Sequence, residues 1–431
     1  MTVFFLLSSL SYGQTRIKVS HLLRETLTPL QVQSIRSIPI DTVRILAIMV
    51  EFQTDNNEQT TGNGTFQITG SPAQIDPTPH DSVYFKNKIR FVENYFHKVS
   101  NGFLTITGSV VPQKIALPKQ MAEYTPPTTG TDNRKLAELA IESWHITDSL
   151  HPEIDFSKYD AFVIFHAGAG RDVDLVSLLA YNPTPYDIPS LYLDSTAFAA
   201  AFGQSSFNGL VNGYIKNTII LPETESRDIP TSSGTTNLQL GINGLFAASM
   251  GSYLGLPDLF NTTNGRSGIG QFGLMDGASI FAYSGLFPPE PSAWEKIYLR
   301  WITPIPVRSL PAHLVLPAVG LNDVAEDTVY QIPISSAEYF LVENRNRNPH
   351  GTGLSLTFAT ASGDSIVHFI HDTAGFRYYF DGSFDVSGIS GSIVDVSNYD
   401  WALPGFMDTT YLYDGGGILI WHIDENIIQA G

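Results

Sequence analysis

Cysteine is absent from the chain. That excludes disulfide staples, cysteine nucleophiles and thiolate metal sites. It does not argue against export, because a chain of 431 residues can bury a sufficient core without cross-links. Charged residues are also scarce, 15% of the total against 43% hydrophobic, the reverse of the balance in a disordered chain. Basic residues are the scarcer sign: 24 Lys and Arg against 42 Asp and Glu give a formal charge of -18. Such a field repels nucleic acid and anionic membranes, so neither is an expected partner. Solubility is its simplest role. An acidic surface also leaves room for calcium, which charge alone does not establish. No segment reaches the roughly 20 apolar residues needed to span a bilayer, so an integral membrane protein is not expected. There is no G-x-S-x-G elbow, no P-loop and no repeat of fixed period. Gly168-Ala169-Gly170 lacks the third glycine of a dinucleotide fingerprint.

The first residues of the chain suggest export. Residues 3–10 (VFFLLSSL) form a short apolar run, and Ser11-Tyr12-Gly13 then offers small residues before Gln14. Residues 1–13 therefore read as a signal peptide, and 14–40 as a linker or pro-region remnant. A secreted or cell-surface protein is expected. Residues 43–52 (VRILAIMVEF) and 159–165 (YDAFVIF) read as buried strands, and 103–111 as an alternating one. Apolar residues at helical spacing predict helices over 82–99, 133–149 and 236–254. The last has an unusually wide apolar surface, as central helices do. Its glycines, Gly241, Gly244, Gly251 and Gly255, make sense where other backbone packs closely. From about residue 304 short apolar runs alternate with turn residues: 314–319, 329–334, 339–343, 365–370 and 417–423. This predicts a first domain over 41–304 and a β-rich domain over 305–431. The natural product is expected to continue past Gly431.

The third helix ends in a specific pattern. Ala248-Ser249-Met250-Gly251-Ser252-Tyr253-Leu254-Gly255-Leu256-Pro257-Asp258 resembles the H-E-x-x-H-x-x-G-x-x-D segment of the M6 (immune inhibitor A-like) zinc metallopeptidases. In that pattern two His one turn apart bind zinc, the Glu activates its water, and a Gly turns the chain toward a carboxylate ligand. Carried over, Gly255 takes the turn position and Asp258 the third-ligand position. Ala248 and Ser252 stand where the two His belong, and Ser249 where the Glu belongs. Gly268 to Asp276 (GIGQFGLMD) is similar to the segment leading to the family's Met-turn, with Met275 as the floor. Residues 95–102, 159–168, 291–299, 338–345 and 417–424 also resemble family segments, in order, over about residues 43–425.

The resemblance implies an α+β fold: a zincin-like domain, with a mixed sheet and a central active-site helix, followed by a β-rich domain. It also implies a protein that has lost its zinc and, with it, catalysis. One carboxylate does not make a zinc site, and neutral hydroxyls neither match imidazole nor activate water. A peptide- or protein-binding role is then expected. Two alternatives stay open: a working hydrolase with an atypical site, for which His166 beside a glycine-rich turn is the candidate, and a structural or adhesive surface protein. His368 and His371 form an H-x-x-H pair, but on a strand i and i+3 point to opposite faces. His422 reads as a core histidine, and Asp372-Thr373-Ala374-Gly375 as a turn.

Overall fold

A computed structural model describes residues 42–68, 76–128, 132–231, 234–262, 265–307, 313–321, 328–369, 391–404 and 416–430. The signal and linker expected over 1–40, His371 and the turn at 372–375 lie outside the described residues.

The fold is mixed α+β. Its first sheet contains β1 (Thr42–Glu51), β2 (Thr105–Ala116), β3 (Ala161–Ala169), β4 (Leu191–Leu193) and β5 (Thr218–Thr224), in the order β2-β1-β3-β5-β4. The first four in that order run parallel, and β4 pairs antiparallel to β5 at one edge. The central strands β1 and β3 are aliphatic and aromatic almost throughout because both of their faces are covered.

The covering helices can be read from aromatic contacts. Helix α1 (Ser82–Val99) begins on Asp81, whose carboxylate accepts from the backbone N–H of Val83 and Tyr84. Its Phe85 stacks on Phe165 of β3 at 4.4 Å. Helix α2 (Arg134–Leu150) approaches the opposite face, where Trp144 meets Phe162 edge-on and donates to the Thr218 hydroxyl at 2.9 Å. Helix α3 (Asn243–Tyr253) joins α1, its Phe246 edge-on to Phe165 at 5.6 Å.

Helix α3 starts seven residues later than its periodicity predicts. Residues 227–238 instead form a hairpin of β6 (Arg227–Thr231) and β7 (Gly234–Leu238). The β-branched pair Thr235-Thr236 suits a strand. Gly241 then donates to the Ser284 carbonyl at 2.8 Å, outside any helix. Close backbone approach accounts for the nearby glycines: a Cβ on Gly244 would lie 1.9 Å from the Ile280 carbonyl oxygen.

The C-terminal part is β-rich. One sheet orders β14 (Gly416–Asp424), β10 (Glu338–Asn346), β9 (Tyr330–Pro333) and β8 (Ile305–Pro306). The other orders β12 (Gly363–Phe369), β11 (Leu354–Thr360) and β13 (Ser392–Val396). The strand expected over 314–319 contributes one isolated bridge, Ala318 to Asn344. Buried and partly buried contacts tie this part to the first. Asn94 of α1 donates to the Val394 carbonyl at 2.8 Å, and Asn243 to that of Ile393 at 3.2 Å. Arg345 forms a two-pronged bridge to Asp400, both bonds 2.5 Å, and reaches the Glu290 carbonyl. Among the described residues, no helix is long and apolar enough to cross a membrane.

Candidate functional site

Ala248, Ser249 and Ser252 lie on α3, and Gly255 and Asp258 just beyond its end. Ala248, Ser249 and Ser252 are all buried, at 3%, 4% and 3% exposure. The helix ends in a Schellman turn: the Leu256 N–H bonds the Gly251 carbonyl and the Gly255 N–H bonds that of Ser252. Gly255 occupies the left-handed position with φ +91°, which a side chain would strain. Beyond it, Asp258 is half-buried. Burial pushes its carboxyl up to about 8.

Met275 lies against the same helix. A Cβ added to Gly251 would sit 2.7 Å from the Met275 sulfur. The methionine is held by its backbone: its carbonyl accepts from Leu259 at 2.9 Å, and its N–H donates to the Glu295 carboxylate at 2.7 Å. Glu295 caps helix α4 (Ala293–Tyr298) reciprocally with Ser292. The helix, the turn and the methionine are thus in contact, and Asp258 follows the turn three residues after Gly255.

The groove beside α3 is lined by Ser190, Leu191 and Tyr192 on the β4 side, with Leu245, Ala248, Ser249 and Ile280 opposite. The gap is too tight to hold a water molecule. Its chemistry is that of apolar side chains and neutral hydroxyls. Ser252 turns back on its own helix, with its Oγ 3.4 Å from the Ala248 carbonyl. These residues do not fit zinc: Ala248 has no donor atom, two serines offer only hydroxyls, and Asp258 supplies one carboxylate. Among the described residues, no group of three or more His, Asp or Glu is arranged to hold a metal ion.

His166 lies elsewhere. It sits within β3, not in the loop expected after residue 165, and is not among the groove-lining residues. Its ring is fully buried near Phe52, with Nδ1 2.9 Å from the Ala167 carbonyl. Burial drives its pKa down to about 4, so the ring is neutral at pH 7. His422, expected in the core, is instead exposed on β14 and pairs with Glu338 at 2.8 Å. His368 is exposed on β12 and bonds the Ser355 hydroxyl.

Sequence reasoning missed the buried polar groups. Lys88 is fully buried and bonds Asp76 at 2.5 Å and Asn243 at 3.0 Å. Asp172, Asp187, Glu225 and Arg227 form a second buried cluster. The signal available was Glu223-Thr224-Glu225-Ser226-Arg227, charges at strand spacing directly after a buried apolar run. No protein-family model matches the chain, and no curated protein matches it.

Proposed function

We propose that this chain is a secreted M6 metallopeptidase-like protein that has lost its zinc chemistry and serves as a binding protein for a peptide or protein partner. One observation carries the proposal. The segment resembling the family's metal site keeps a helix that ends in a left-handed glycine turn, with Asp258 after it and Met275 packed beneath, while Ala248, Ser249 and Ser252 stand where the ligands and base would be. The mixed sheet with one antiparallel edge strand beside α3 agrees with a zincin-like fold. The desolvated Asp258 carboxyl agrees with a position that once faced a cation.

Chemistry at this groove is disfavoured on physical grounds. Hydrolysis at such a site needs a water activated by a metal and a base. Here the groove excludes water, and the base position carries a hydroxyl. The test is a peptidase assay on a broad mixture of unstructured peptides, with zinc and calcium added. The expected result is no cleavage above buffer. Cleavage abolished by a chelator and restored by zinc would overturn the reading.

A further inference from the structure

Behind the Ser190 wall lies a buried cluster whose charges do not balance in their ordinary states. Asp172, Asp187 and Glu225 are fully buried, and Arg227 nearly so. Arg227 reaches Asp187 at 3.3 Å and Glu225 at 2.8 Å. Arg171 is the other cation facing Asp172 and Asp187, and it donates to the carbonyls of Pro126 and Pro185. Three carboxylates against two guanidinium groups leave one negative charge in excess, in a setting where an uncompensated charge is expensive.

The geometry locates the excess. Asp187 accepts from the Thr61 N–H at 2.6 Å and its hydroxyl at 2.7 Å. Asp172 accepts from the Ser190 N–H at 3.0 Å and its hydroxyl at 2.7 Å. Glu225 is the exception: its Oε1 is buried and receives no hydrogen bond from any described residue. Its carboxyl group lies within hydrogen-bonding reach of that of Asp172. A Cβ on Gly170 would lie 1.8 Å from Glu225 Oε1 and 2.8 Å from Asp172 Oδ2, so only glycine leaves room for the two to face each other. Two buried carboxyl groups this close do not both ionise. Burial and the charge of Asp172 push Glu225 well above the usual carboxylate range, and burial raises Asp172.

We propose that Asp172 and Glu225 share one proton at neutral pH, a carboxyl–carboxylate latch that holds residues 171–190, and with them the Ser190 wall of the groove, against the end of β5. The proton gives Glu225 Oε1 its missing partner and cancels the excess charge. The pair titrates as a unit. Because the folded state holds this proton more tightly than the unfolded chain, the latch is strongest at low pH and is lost as pH rises through the folded value. Residues 171–190 then open on the alkaline side. None of these residues is a metal position, so the inference stands apart from the zinc reading.

Glu225→Gln tests it, because a carboxamide can donate to Asp172 without a titrating proton. The infrared difference between wild type and Glu225→Gln at pH 7 should contain the carbonyl band of a protonated carboxylic acid, shifting in deuterated water. Alkaline-induced hydrogen exchange across 171–190, seen in wild type, should be much reduced in the variant. Should Glu225→Gln fail to fold, Asp172→Asn replaces it, with the same band expected. The proposal is overturned if neither difference spectrum contains the band. It is equally overturned if calcium or zinc raises the melting temperature of wild type but not of the variant, which would make the pair a cation site.

Discussion

The Met275 sulfur lies directly beneath Gly251, where an added Cβ would approach it to 2.7 Å, whereas the same addition at Gly244 would come within 1.9 Å of the Ile280 backbone. The two glycines share one helix but face different kinds of neighbour. A methionine side chain can swing aside; a carbonyl in a packed segment cannot.

That contrast gives a prediction of unequal effects at two sites. On helix propensity alone, Gly→Ala would gain up to about 1 kcal/mol at either position. Gly251→Ala should be close to neutral, propensity offsetting the small repacking. Gly244→Ala should instead destabilise by about 1–3 kcal/mol, the usual range for overpacking. Urea denaturation of both variants checks it, and equal effects would contradict the packing described.

Asp258 should make the protein sensitive to alkali. Its carboxyl is raised to about 8, so the folded state favours the protonated form. The contribution is full below the ordinary carboxylate range and is lost as pH rises through about 8. Asp258→Asn, which mimics the protonated form, should therefore melt at a higher temperature than wild type at pH 9 and near the same temperature at pH 3. Thermal denaturation across that range decides it.

Arg345 should be among the most sensitive charged positions in the β-rich part. It is buried with Asp400 and Glu343, and its removal leaves carboxylates without their cation. Arg345→Met is expected to cost about 3–5 kcal/mol. The double variant Arg345→Met/Asp400→Leu should recover much of the loss, since one of the stranded charges is gone. A double variant no better than the single would contradict this account.

Restoring the ligands should restore the metal. Ala248→His, Ser249→Glu and Ser252→His would put imidazoles one turn apart, with Asp258 beyond the Gly255 turn. The groove is tight, so without metal the triple variant should be less stable by about 1–3 kcal/mol from overpacking. Zinc should then raise its melting temperature while leaving wild type unchanged. A folded triple variant that takes up no zinc would refute the helix geometry.

What sequence revealed follows physical lines. Strand β1 and helix α1 were legible because an unbroken apolar run and a clean helical period have few other readings. The end of α3 was legible because Gly255 is needed at a positive φ. The start of α3 was not, because Thr235 and Thr236 continue a helical period that the β7 strand overrides. His422 misled because β14 is apolar by composition while one of its faces is open, so alternation was hidden. The cluster of Asp172, Asp187, Glu225 and Arg227 was hidden for a different reason. Asp172 and Asp187 lie far from Glu225 and Arg227 in sequence, and only the fold brings the two sets together.

Zinc content tests the central claim most directly. Elemental analysis of the folded protein after gentle dialysis, with calcium read from the same sample, should find zinc far below stoichiometric. Near-stoichiometric zinc that survives dialysis would contradict the loss of the metal site and require ligands other than those around α3.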